Sequence, residues 1–198
     1  MTRAALYGLV LAGGRSRRMG HDKAQVAYHG RVQAQWAADL LSRHCERVFL
    51  SVRPDQTQLP VADWPTIVDR HTDVGPLAGI AAAQQEHPHA AWLVMACDLP
   101  FVSDQVLATL IDARDLTPFK AYRSSHDGLP EPLCAIYEPL SIPVVQSALT
   151  AGRHCPRKLI IQSGVTLLDL PEAGALDNIN TPDELAGARE RLGSTARP

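Results

Sequence analysis

The sequence predicts an α/β protein in three layers, with a mostly parallel twisted sheet and helices on both of its faces. Three observations predict it. Short apolar runs alternate along the chain with stretches of helical apolar spacing, as in strand–helix–strand units. The strand-like runs, such as Leu6–Leu11 and Trp92–Ala96, are nearly continuous in apolar residues, as strands buried on both faces are. The 198 residues are 45% apolar and 20% charged, which suits one well-formed core and is too apolar for a disordered chain. One domain over residues 1–198 is therefore expected, with 194–198 as a frayed tail.

Each element has its own local reason. Leu6–Leu11 stops at glycine, and Val32, Trp36, Ala37, Leu40 and Leu41 then share one helical face up to about Cys45. Val48–Val52 and Thr66–Val68 read as strands, and Pro76 suits the first turn of a helix running to about Gln85. Trp92–Ala96 is another strand. Ser103 then serves as N-cap, with Asp104 in the first turn, for a helix through Ala113. Phe119–Arg123 and Leu133–Tyr137 flank the turn signal His126-Asp127-Gly128. Ile142–Ala151 forms a helix that ends at Gly152, and Pro156 opens a shorter one. Val165–Leu170 is expected as the last strand. Thr181-Pro182-Asp183-Glu184, a capping box with proline at N1, starts a terminal helix to about Leu192.

Composition excludes several classes of protein. Nineteen Lys and Arg against 21 Asp and Glu give a formal net charge of -2, so binding of a bulk polyanion such as nucleic acid is not expected. The four cysteines (Cys45, Cys97, Cys134 and Cys155) show no C-x-x-C spacing, which argues against a zinc or redox pair and fits a reducing cytoplasm. No run is long enough for a membrane span. The apolar segment after Arg3 leads straight into Gly13-Gly14-Arg15 without a cleavage pattern, so a buried strand is expected there instead of a signal peptide.

In open α/β sheets, ligands bind beyond the carboxyl ends of the strands. The first such end is Leu11-Ala12-Gly13-Gly14-Arg15-Ser16-Arg17-Arg18-Met19-Gly20-His21-Asp22-Lys23, which is neither a G-x-G-x-x-G nor a Walker A loop. It still suits a polyphosphate. Glycines let backbone N–H groups approach an anion closely, and Arg15, Arg17, Arg18 and Lys23 place four cations within nine residues. A solvated basic loop is the plainer alternative. The second end presents Asp98, and one carboxylate completed by substrate phosphates is a usual way to hold Mg²⁺. A turn or helix cap is the competing role.

Together these segments resemble a known family. Leu11-Ala12-Gly13-Gly14 with Arg18-Met19-Gly20 and Asp22-Lys23, then Gly75-Pro76-Leu77-Ala78-Gly79, Cys97-Asp98-Leu99-Pro100 and Asn178-Ile179-Asn180-Thr181-Pro182, occur in the order found in nucleotidyltransferases of the molybdenum cofactor. The closest likeness is to the molybdenum cofactor guanylyltransferases, from about Leu6 to Leu192. The resemblance implies a Rossmann-like nucleotidyltransferase fold. It also implies transfer of GMP from GTP to the terminal phosphate of Mo-molybdopterin, with Mg²⁺ as cofactor and pyrophosphate as the second product. Lys23, Asp98 and Arg18 would be catalytic, and Asp98 would hold the metal. Leu11, Ala12, Gly13, Gly14, Lys23, Asp69, Gly79 and Asp98 would bind the nucleotide, with Asn178, Asn180 and Glu131 on the acceptor side. Transient contact with molybdoenzymes, their chaperones or upstream cofactor-synthesis proteins is also implied, with no nucleic acid or membrane partner.

Arg53, in Ser51-Val52-Arg53-Pro54, departs from the asparagine that these guanylyltransferases often carry after the second strand. It puts the detailed guanosine contacts in question while leaving the reaction class intact. Three other readings stay open. The cytidylyltransferase branch typically has Leu-Ala-Ala-Gly, and Gly13 favours a larger purine. Sugar-phosphate or isoprenoid nucleotidyltransferases share the loop but are generally longer, and the Asn178-Ile179-Asn180-Thr181-Pro182 ending argues against them; a non-catalytic delivery module is the third reading, and intact Lys23 and Asp98 argue against it. Of the remaining candidates, His87-Pro88-His89 reads as an exposed turn and Cys97 as a small buried residue. Trp36, Trp64 and Trp92 read as packing. Arg153, Arg157 and Lys158 suit either the pterin phosphate, a protein partner or a solvated helix end.

Overall fold

Along the chain, β1 (Leu6–Leu11) is followed by α1 (Gln33–Ser42), β2 (Arg47–Val52), β3 (Thr66–Val68), α2 (Pro76–Glu86) and β4 (Ala91–Ala96). Next come α3 (Asp104–Asp112), β5 (Phe119–Arg123), β6 (Pro130–Tyr137), α4 (Ile142–Thr150), α5 (Pro156–Gln162) and α6 (Pro182–Thr195). These elements come from a computed structural model that describes residues 3–13, 31–56, 61, 63–71, 74–179 and 182–195. The strands form one sheet in the order β3-β2-β1-β4-β6-β5.

β1 pairs in parallel with β2 (Leu11 opposite Ser51) and with β4 (Leu11 opposite Ala96), and β2 pairs in parallel with β3. Only β6 runs against the rest, antiparallel to both β4 and β5. The reason is local: a short turn can join only antiparallel strands. Gly128, at φ 71°, makes that turn, and its N–H donates to Ser124 O at 3.0 Å.

Two buried clusters cover the two faces. On one side α1 and α3 supply Ala34, Ala37, Leu41, Val106 and Leu110 against Val10, Leu50 and Leu93. On the other α2, α4 and α5 supply Leu77, Ile80, Val145 and Leu159 against Leu9, Ile67 and Val94. The three expected layers are therefore present. Helix ends follow the sequence signals: Ser103 Oγ accepts from Val106 N at 3.3 Å, a cap of about 0.5–2 kcal/mol. Pro76 opens α2 and Gly152 follows α4 at φ 68°.

Four expectations need correction. Val165–Leu170 is not a strand; only Leu168 bridges Tyr122. Its apolar alternation is met by packing, with Val165 and Leu167 on one cluster and Leu168 and Leu170 on the other, and Pro171 has no N–H with which to continue a ladder. β6 begins at Pro130 rather than Leu133. Prolines are tolerated there because the pairing with β4 spans only Cys134–Tyr137, and β5 meets Pro130 across an irregular register. His87 is half-buried, with its ring 5.9 Å from that of Trp92 and 5.1 Å from that of Phe49. The terminal helix extends to Thr195, past the expected end at Leu192. The capping residue Thr181 lies outside the described residues.

A buried ion pair ties the far end of the sheet together. Arg114 Nε and Nη2 donate to Glu138 Oε1 and Oε2 at 2.7 and 3.2 Å, and Nη2 also donates to Ala4 O at 3.1 Å. Removing one partner would strand a buried charge. Glu138→Ala should therefore lower unfolding free energy by about 3–5 kcal/mol, measured by urea denaturation.

Candidate active site

The parallel ladder continues beyond the strands themselves. Ala12 N donates to Ser51 O at 3.1 Å, Asp69 N to Val52 O at 2.8 Å, and Cys97 N to Leu11 O at 3.4 Å. Ala12, Gly13, Asp69 and Asp98 thus leave the sheet at one edge, where open α/β sheets bind their ligands. There they fall into two neighbourhoods, joined by the first turn of α2.

The first is built around a carboxylate. Ser51 Oγ donates to Asp69 Oδ1 at 2.7 Å. Burial raises the Asp69 carboxyl above its ordinary value, outweighing the Ser51 hydrogen bond and the positive charge of Arg53. Gly79 presses on this pair: a Cβ there would lie 2.1 Å from Ser51 Oγ and 3.1 Å from Asp69 Oδ1. Gly75, at φ 73°, turns the chain into α2 so that this close approach is made. A Cβ on Gly13 would lie 3.3 Å from Arg53 Cγ and 3.5 Å from Asp69 Oδ2, so the space beside Gly13 is bordered by those two side chains. Arg53 Nη1 donates to Gly13 O at 2.5 Å, and Gln56 Nε2 to Ala12 O at 3.1 Å.

The second neighbourhood is a cavity of about 460 Å³, lined by Pro76, Asp98, Glu131, Cys155, Arg157 and Asn178 among others. Ile179 N donates to Asp98 O at 3.1 Å, which holds the Asn178 loop against the exit of β4. Arg157 reaches Asp127 at 2.8 Å and Glu131 at 3.3 Å. Asp127 titrates below its ordinary value, first because the Leu129 N–H donates to it and then through Arg157. His126 Nε2 lies 2.8 Å from Asp177 Oδ1 at the rim.

The expected site residues therefore divide. Leu11, Ala12, Gly13, Asp69 and Gly79 line the first neighbourhood or lead into it, and Asp98, Asn178 and Glu131 line the second. Gly14, Arg18, Lys23 and Asn180 lie outside the described residues. Among the described residues no group of three or more His, Cys, Asp or Glu side chains is placed to hold a metal ion. Asp98 would offer a single carboxylate, which suits a cation that takes most of its ligands from substrate phosphates and water. Ser51, Gln56 and His126 were not anticipated. A serine closing an apolar strand run carries no signal of its own, and its role emerges only from its contact with Asp69.

A mostly parallel sheet of this order, with helices on both faces and a charged cavity at its carboxyl edge, is the fold of the nucleotidyltransferases. The chain is a member of the MobA-like NTP transferase domain family, whose model matches residues 8–166. It is 41% identical over 186 residues to a molybdenum cofactor biosynthesis bifunctional protein of Synechocystis, covering 93% of this chain and 54% of that protein. The chain thus spans about half of that relative's length. It is 30% identical over 185 residues to a molybdenum cofactor guanylyltransferase of Pseudomonas aeruginosa, covering 92% of this chain and 93% of that one. The crystal structure of molybdopterin-guanine dinucleotide biosynthesis protein A from Archaeoglobus fulgidus is similar over 95% of this chain and 99% of that chain, with a TM-score of 0.76 at 25% identity. Among the described residues, no helix is long and apolar enough to cross a membrane.

Two predictions follow from the first neighbourhood. Gly79→Ala should cost about 1–3 kcal/mol of stability by overpacking, and Ser51→Ala in the same chain should recover part of it, as read by urea denaturation. A raised carboxyl favours the folded state at low pH and loses that contribution as pH rises through its folded value. Asp69→Asn should accordingly be more stable than the parent at pH 7, with the difference shrinking as pH falls below the folded pKa of Asp69.

Proposed function

We propose that the chain, acting as one nucleotidyltransferase domain, transfers GMP from GTP to the terminal phosphate of Mo-molybdopterin. The products are the molybdopterin guanine dinucleotide cofactor and pyrophosphate. The observation that carries this reading is the pairing of two unlike neighbourhoods across one strand edge. One is the close-packed group of Gly13, Arg53, Asp69 and Gly79 at the ends of the parallel strands; the other is the cavity of about 460 Å³ at Asp98, Glu131 and Arg157. Likeness to guanylyltransferases over nearly the full length supports the choice of substrates.

In this reaction an acceptor phosphate oxygen attacks the α-phosphorus of GTP. A new P–O bond forms, the bond to the bridging β-phosphate oxygen breaks, and pyrophosphate leaves with the electron pair. The nucleophile is already ionised at neutral pH, so no side chain need remove its proton. The protein's task is to align two anions and neutralise the charge that develops on the leaving group. Asp69 and Gly79 fit the base and ribose side, while the backbone of Gly13 and Gly14 suits the phosphates. Lys23 and Arg18 supply positive charge to them. Asp98 would hold Mg²⁺, whose chemistry is Lewis-acid neutralisation of the phosphate oxygens. Asn178, Asn180 and Glu131 orient the acceptor, and Arg157 offers its phosphate a planar guanidinium.

Pyrophosphate release in the presence of GTP, Mg²⁺ and Mo-molybdopterin tests the reading. The parent should release pyrophosphate with GTP and much less with CTP. Lys23→Ala and Asp98→Ala should each lose roughly two to three orders of magnitude in turnover. A parent that releases none is a binding or delivery module instead, and variants that turn over at the parental rate would remove both residues from the mechanism.

A further inference from the structure

Arg191 of α6 joins two loops that meet at the cavity. Its guanidinium carbon lies 4.0 Å from the centroid of the Phe101 ring, and Phe101 follows Asp98 by three residues. From the second loop, Ala173 O accepts from Arg191 Nη2 at 3.3 Å, and Asp177 Oδ2 stands 3.8 Å from Nη1. Asp177 immediately precedes Asn178, and Asp98 and Asn178 both line the cavity. The other oxygen of Asp177, Oδ1, is 2.8 Å from His126 Nε2. Gly174, at φ 70°, lets this group close up. A Cβ there would be 2.7 Å from Asp177 Oδ2 and 3.2 Å from Arg191 Nη1.

These contacts contribute little to global stability. The Arg191 and Asp177 side chains are 47% and 35% exposed, and an ion pair that open to water is screened. What they supply is geometry. A planar guanidinium that stacks on a ring and donates to a backbone carbonyl has few orientations left. The loops also meet directly, through Ile179 N to Asp98 O at 3.1 Å and Ser103 Oγ to Glu172 Oε1 at 2.5 Å. Resting on the nucleotide-transfer reading above, we infer that Arg191 is a positioning residue that locks the Asp98 loop to the Asn178 loop. It thereby fixes the relative placement of Asp98 and Asn178 toward the acceptor. Arg191 is not a lining residue of the cavity and acts through Phe101 and Asp177.

Amide hydrogen exchange of the full chain, followed by NMR, tests the lock without any substrate. Arg191→Met keeps the apolar stem and removes the charge and every donor. Protection of the Ile179 N–H should fall about tenfold, while that of Val94 in the centre of β4 stays within about twofold of the parent. Arg191→Lys, which keeps a cation near Phe101 and loses the planar fork, should restore part of that protection. Phe101→Leu should cause part of the loss alone and add little in the Arg191→Met background, because both changes cut one path. In turnover, Arg191→Met should lower kcat/KM for Mo-molybdopterin about tenfold. KM for GTP should stay within about twofold, since Gly13, Asp69 and Gly79 are untouched. If Ile179 protection is unchanged in Arg191→Met, Arg191 is only a solvated side chain resting on Phe101 and the assignment is overturned. Equal losses at Ile179 and Val94 overturn it as well, because they report global stability alone. Lost Ile179 protection with parental kinetics removes the positioning role. A parent that releases no pyrophosphate overturns the transfer reading instead, and the exchange result then decides the loop lock by itself.

Discussion

β1 carries parallel hydrogen-bond ladders on both sides, to β2 and to β4, and the arrangement of the site depends on that pairing. Parallel strands present their carboxyl ends at one edge, so residues that follow β1, β2, β3 and β4 emerge together although they are far apart in sequence. The ladder is also extended past the strands by Ala12 to Ser51, Asp69 to Val52 and Cys97 to Leu11. The loops that bear Gly13, Asp69 and Asp98 therefore begin from backbone that is already fixed. Positioning of this kind lowers the orientational cost of bringing two anionic substrates together.

The electrostatics of this edge are arranged against local stability. Asp69 is a carboxylate whose charged form is disfavoured by burial, yet Ser51 and Arg53 keep it in place beside Gly13. Arg157 projects into the cavity and is balanced there by Asp127 and Glu131, so the guanidinium is ordered and its charge is partly compensated. Charged groups held in a cleft at some cost to folding are a common mark of function over stability. The near-neutral total of -2 conceals this distribution, since the charges are matched locally.

Much of the fold was legible because apolar periodicity reports burial directly. The alternation of runs gave every helix and five of the six strands nearly to their ends. The failures have physical causes as well. Val165–Leu170 has a strand's alternation and meets it by packing on both clusters, and periodicity does not distinguish packing from pairing. The strand expected from Leu133 begins at Pro130, because Pro130 and Pro132 lie where the pairing between β4 and β6 has ended and no ladder donor is needed. His87 looked like a turn residue because its aromatic neighbours Tyr7, Phe49 and Trp92 come from three different strands.

The sequence by itself determined the layer architecture, the two glycine turns and the residue types that a phosphate chemistry requires. Those follow from short-range rules: burial period, backbone freedom and charge density along a segment. Which side chains meet was decided only by tertiary structure. Ser51 against Asp69, Arg53 against Gly13 and Arg157 between Asp127 and Glu131 are contacts across 18, 40 and up to 30 residues of chain. They exist because the strand order β3-β2-β1-β4 brings distant carboxyl ends side by side, and no local pattern encodes that order.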